Sequence, residues 1–93
     1  MNSFELGQIV ITDAAQAVLT TMEIESLQLI ARHRKHDWGD VPHESKQGNQ
    51  RALREGGALH SSYTLGTYVI CITTNPQRSL TTILLVSEVV SNL

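Results

Sequence analysis

The spacing of apolar positions changes character several times along this chain. Gln8-Ile9-Val10-Ile11-Thr12 is a short β-branched run and reads as a strand. Thr12-Asp13 then offers a helix start, and Ala14, Ala17 and Val18 recur at helical spacing, so a short helix with those residues facing inward is expected. A second helix opens at Glu25-Ser26 and runs to the region of Lys35, with Leu27, Ile30 and Ala31 as its inward stripe. Its acidic start and the cations Arg32, Arg34 and Lys35 near its end both suit the helix dipole. Gly39 and the Val41-Pro42 pair break the pattern. A third helix, beginning at Pro42 or His43 and reaching Glu55, is stopped by Gly56-Gly57. It is mostly polar. Ala52 and Leu53, with the small Ser45 and Gly48, are its only contact strip, which predicts a surface helix.

The last third is strand-like throughout. From Ala58 to Leu65 the residues Leu59, Ser61, Tyr63 and Leu65 fall on one side. Gly66-Thr67 is a tight connection, and Tyr68 to Thr73 is nearly continuously apolar, so that strand is expected to be central and covered on both faces. Asn75-Pro76-Gln77 is a turn, Thr81 to Val86 a final strand, and Ser87 to Leu93 a tail or short helix. The order predicts an α+β fold in one domain, residues 1–93: an N-terminal strand, two to three helices, then a three-stranded antiparallel meander with the helices packed on one face of the sheet.

Composition narrows the function classes. The 93 residues carry 17% charged and 41% hydrophobic side chains, which is charge-poor for a globular domain yet too apolar for a disordered one. No apolar run approaches the ~20 residues of a membrane helix. The first basic residue is Arg32, so no secretory signal is expected, and with one cysteine, Cys71, the expected location is the cytoplasm. Cys71 sits inside the apolar strand and is expected to be buried and inert. The net charge of −2 hides an uneven distribution. Residues 1–28 hold Glu5, Asp13, Glu23 and Glu25 and no Lys or Arg, whereas residues 29–60 hold six basic and four acidic side chains. Direct nucleic-acid binding is not expected from this balance.

Candidate chemistry concentrates in His33 to His43. His33 and His36 share a helix face, and His33 stands four residues from Asp37, ligand types suited to a transition metal but outside any established ligand signature. A hydrolase reading would take His33 or His60 as base, Asp37 as orienter and Ser61 or Ser62 as nucleophile, without a glycine-flanked nucleophile turn. A metal-independent ribonuclease of the toxin type would use His33, Tyr63 and Arg78. Trp38, the only tryptophan, is expected to cover the core between the second and third helices, the other reading being a partner-binding hot spot.

Three segments together carry a resemblance: Leu6-Gly7-Gln8-Ile9-Val10-Ile11-Thr12; Leu29-Ile30-Ala31-Arg32-His33 running into Asp37-Trp38-Gly39-Asp40, with Asn49 and Ala52-Leu53 beyond; and Ser61-Ser62-Tyr63-Thr64 with Ile72-Thr73 and Arg78-Ser79-Leu80-Thr81-Thr82-Ile83-Leu84-Leu85. They resemble a family of small uncharacterised plasmid and integrative-element proteins, often given the names plasmid-related protein or type I restriction subunit M. The chain departs from that family at Cys71, near the place of a tryptophan, at Thr74-Asn75-Pro76-Gln77, where the family has an acidic turn, and at Val86-Ser87-Glu88-Val89, where it has a closing Pro-x-x-Tyr. A domain of 93 residues with no glycine-rich cofactor loop is expected to be too small for the methyltransferase fold.

The resemblance implies a small non-enzymatic accessory protein of a mobile genetic element that binds a host protein or protein complex, in the manner of an anti-restriction or anti-CRISPR inhibitor. No cofactor and no catalytic residue are expected. The expected partner-binding face combines Arg32, His33, Asp37, Trp38, Asp40 and Arg78. Sheet edges and the apolar tail residues Val89, Val90 and Leu93 make a homodimer a further expectation. The ribonuclease is the alternative function.

Overall fold

The computed structural model describes residues 4–90. Its elements run β1 (Gln8–Ile11), α1 (Asp13–Thr21), α2 (Ser26–Arg34), α3 (His43–Glu55), β2 (Leu59–Leu65), β3 (Tyr68–Thr74), β4 (Leu80–Leu85) and α4 (Val86–Val90). Four strands form one mixed sheet in the order β1-β4-β3-β2. β2, β3 and β4 are the antiparallel meander, and β1 joins its β4 side in parallel, Gln8 opposite Leu80 and Ile11 opposite Ile83. The fold is α+β, with the helices packed against the sheet. No described helix is long and apolar enough to cross a membrane. Leu93 and the side chain of Val90, named among the tail residues, lie outside the described residues.

Local chemistry sets the element ends. Thr12 Oγ1 accepts the Ala15 amide at 3.1 Å and starts α1. Gln28 Oε1 accepts the Glu25 amide at the start of α2. The chain leaves α2 through His36, which holds a left-handed φ of 70°, and α3 ends at Gly56 with φ 92°.

The main core joins Ala15, Val18 and Leu19 of α1 and Leu29 and Ile30 of α2 to Tyr63, Ile70, Ile72 and Ile83 of the sheet. Two of the expected helix stripes are therefore corrected. In α1 the inward residues are Ala15, Val18 and Leu19, while Ala14 and Ala17 are exposed. In α2 they are Leu29, Ile30 and His33; Ala31 is exposed and Leu27 is 69% exposed. A second cluster of Trp38, Val41, Ala52 and Leu59, flanked by Phe4 and Leu53, fills the space between α2, α3 and the end of β2. β3 is central as its composition implies, with Ile70, Cys71 and Ile72 buried, though Val69 and Thr73 on its second face are half-buried. Burial pushes the Cys71 thiol above its ordinary range, in keeping with an inert side chain.

Candidate functional site

The densest polar region of the sequence folds into a corner where the end of α2, the turn 36–41 and strand β2 meet. Its inner layer is His33. The imidazole is fully buried, with Nδ1 against Ser61 Oγ and Nε2 2.9 Å from Thr74 Oγ1. Thr74 Oγ1 lies 2.8 Å from Thr81 Oγ1, and the Thr81 hydroxyl donates to the Leu6 carbonyl at 2.7 Å. That last bond orders the whole chain, because a carbonyl only accepts and each hydroxyl has one hydrogen. Thr81 donates to Leu6, so Thr74 donates to Thr81. His33 Nε2–H then donates to Thr74, and Nδ1 accepts from Ser61. The neutral tautomer satisfies every member. Burial, followed by the nearby His60 and His36, holds the His33 pKa down at about 4.

The second layer is aromatic. Trp38 is 4% exposed and stacks on His36 with centroids 5.4 Å apart, and Phe4 meets the rings of His33, His36 and Trp38. Trp38 thus covers the core between α2 and α3. Its Nε1 and the Nε2 of His36 have no hydrogen-bond partner.

The outer layer carries charge. Arg32 Nε donates to Asp37 Oδ2 at 2.7 Å, and the guanidinium lies over the Tyr63 ring at 4.5 Å. The guanidinium holds the Asp37 carboxyl below its ordinary range, and Asp37 raises Arg32 in return. The Tyr63 hydroxyl donates to the Asp37 carbonyl at 2.8 Å. Asp40 accepts the Thr64 amide at 2.8 Å, which lowers its pKa.

This corner also closes the outer edge of β2. The Asn49 amide, 4% exposed, donates to the His60 carbonyl at 2.8 Å and accepts the His60 amide at 3.0 Å. The backbone of 38–40 pairs with Ser62 in both directions, Ser62 donating to Trp38 at 3.0 Å and Asp40 donating to Ser62 at 2.6 Å. Gly39 permits this approach: its φ is 74°, and a Cβ there would lie 2.1 Å from the Ser62 carbonyl oxygen.

Of the six residues expected to form a partner-binding face, three are at the surface: Arg32, Asp37 and Asp40. His33 and Trp38 are interior and present nothing to a partner. Arg78 is half-buried at a left-handed φ of 59°, and its guanidinium donates to the carbonyls of Gly57, Asn75 and Ala52, locking the β3–β4 turn to the end of α3. The hydrolase pairing of His33 with Ser61 exists as a contact, but both side chains are fully buried and Asp37 turns to Arg32 instead. His33, His36 and Asp37 do not converge on one point, and no group of three or more His, Cys, Asp or Glu side chains does so among the described residues. Sequence reasoning missed Asn49, Thr74 and Thr81 as the partners that organise the corner. A polar residue one helical turn before Ala52, on its inward face, was the available signal for Asn49.

Compared with known proteins, the chain matches no family model, no curated protein and no solved structure.

Proposed function

We propose that this chain is a non-enzymatic binding protein of a mobile genetic element that antagonises a host defence system, of the anti-restriction or anti-CRISPR kind, by occupying a host protein surface. One observation carries the reading: the Arg32–Asp40 region divides into an interior of rings and a surface of fixed charges. Arg32 is held by both Asp37 and the Tyr63 ring, and Asp40 is anchored on the Thr64 amide. Side chains already fixed lose little freedom on docking, which favours recognition of a complementary surface. The resemblance to plasmid and integrative-element proteins supports the genetic context. Ribonuclease chemistry has no observation in its favour, because the polar atoms of His33, Tyr63 and Arg78 are each engaged inside the fold.

The test is affinity purification of the intact protein with restriction or CRISPR effectors of its host. A stable complex is expected, lost when Arg32→Glu and Asp40→Lys are combined in a variant with an unchanged circular dichroism spectrum. Failure to bind any such effector, with plasmid transfer unaffected by removal of the protein, contradicts the reading.

A further inference from the structure

The sheet has a second edge, β1, that none of this machinery reaches. The amides of Gln8 and Thr12 bond β4, at 2.9 Å to Ser79 and 3.0 Å to Ile83. In a parallel pair the residues that bond the neighbour alternate with residues that point away, so the N–H and C=O groups of Ile9 and Ile11 face outward. No described residue bonds them. The strand is short, but it lacks the charge and the proline that keep edges apart: Gln8-Ile9-Val10-Ile11 has neither. Its side chains are also uncovered for their type, with Ile9 and Val10 each 40% exposed. Beside β1 runs a groove of about 490 Å³, lined by Leu6, Ile9, Leu27 and Ile30, with Arg34 and Lys35 on its rim.

We propose that β1 is the interface through which two copies of this chain associate, edge to edge and antiparallel about a two-fold axis at Val10. Two features of the chain select a second copy as the occupant. The register that places Val10 against Val10 of the second copy pairs Ile9 with Ile11 of the other strand, so every outward-facing group of these two residues finds a partner. Beyond the paired residues the same two-fold axis turns the start of α1, with Asp13, toward the Gly7 end of the other copy's strand, next to Leu6. Phe4 lies against the rings of His33 and His36, so the basic end of α2 stands at this end of the strand. The second copy therefore brings the acidic first residue of α1 toward the end of the groove that carries Arg34 and Lys35, a complementarity in keeping with the acidic first third and the basic second third of the sequence. Leu27, which lines the groove beside Ile9 of its own copy, then covers Ile11 of the other. The result is a continuous eight-stranded sheet. It uses the opposite edge from the Arg32–Asp40 corner, and it stands or falls independently of the proposed partner.

Sedimentation equilibrium of the full chain from about 5 μM to about 500 μM tests it, a range chosen because a small interface binds in the micromolar region. The mass is expected to rise from 10.3 kDa toward twice that value. Val10→Lys sets two ammonium groups directly opposite each other and is expected to weaken association at least about tenfold. Leu27→Asp, at a position too exposed to matter for folding, is expected to weaken it as well, and Ala17→Lys on the exposed face of α1 is expected to leave it unchanged. A monomer throughout the range overturns the proposal. So does a dimer indifferent to both Val10→Lys and Leu27→Asp, which would place the contact elsewhere, as at the C-terminal tail.

Discussion

Edge strand β2 has both backbone groups of His60, both of Ser62 and the amide of Thr64 bonded by the chain itself, whereas edge strand β1 leaves those of Ile9 and Ile11 facing out. The difference in local chemistry is instructive. β2 is closed by a buried asparagine, a glycine that lets the backbone dock, and a carboxylate, which satisfy polar groups without adding another strand. β1 has only aliphatic side chains and a glutamine. The residues that looked like chemistry in the sequence are largely the ones that close β2. The residues that looked like an ordinary strand are the ones left available. A free edge beside a closed one makes association directional: further strands can add on one side only.

The largest expected effect comes from attacking the closed edge from inside. His33 titrates near 4 in the fold and 6.5 in the unfolded chain. Because the folded value is the lower one, the unfolded state binds the extra proton between those values. The contribution of His33 to stability is therefore full above about pH 6.5 and is lost as the pH drops toward 4, about 3 kcal/mol, and the lowered pKa of the half-buried His60 acts in the same direction. Urea midpoints measured across that window check this, and His33→Gln should flatten the slope. Direct attack on the closure comes next. Gly39→Ala forces a Cβ into the Ser62 carbonyl and a left-handed φ onto alanine, and Asn49→Ala leaves the His60 amide and carbonyl unpaired. Each should cost about 2 kcal/mol by urea denaturation. The smallest effect sharpens the comparison from the other side. Val10→Lys on the open edge should change the stability of the isolated monomer by less than about 0.5 kcal/mol in dilute urea titrations, although it is expected to weaken association at least about tenfold.

How much of this was legible in the sequence varies by element. The meander, the central β3 and the Gly56 stop could be read because β-branched runs and glycines act locally. The α2 stripe could not. Its third inward residue is a histidine, which an apolar pattern discards, and its burial depends on hydroxyls from Ser61 and Thr74, 28 and 41 residues away. Leu27 fits the expected stripe yet faces the groove, because the side chains that α2 turns to the sheet are Leu29, Ile30 and His33. In α1 the alanines allow two neighbouring faces, and Leu19 selects the one that includes Ala15. The Arg-His…Asp-Trp-Gly-Asp run was recognisable as special, but spacing alone could not separate the buried His33 and Trp38 from the exposed Arg32, Asp37 and Asp40. That division is set by contacts with β2, and those partners come later in the chain.

The contrast between the edges is tested most directly by amide hydrogen exchange, followed residue by residue in one sample at low and high protein concentration. The amides of His60, Ser62 and Thr64 should be protected at both concentrations. Those of Ile9 and Ile11 should exchange freely when dilute and become protected when concentrated. Protection of Ile9 and Ile11 in the dilute sample, or exchange at His60 and Ser62 as fast as at Ile9, would contradict it.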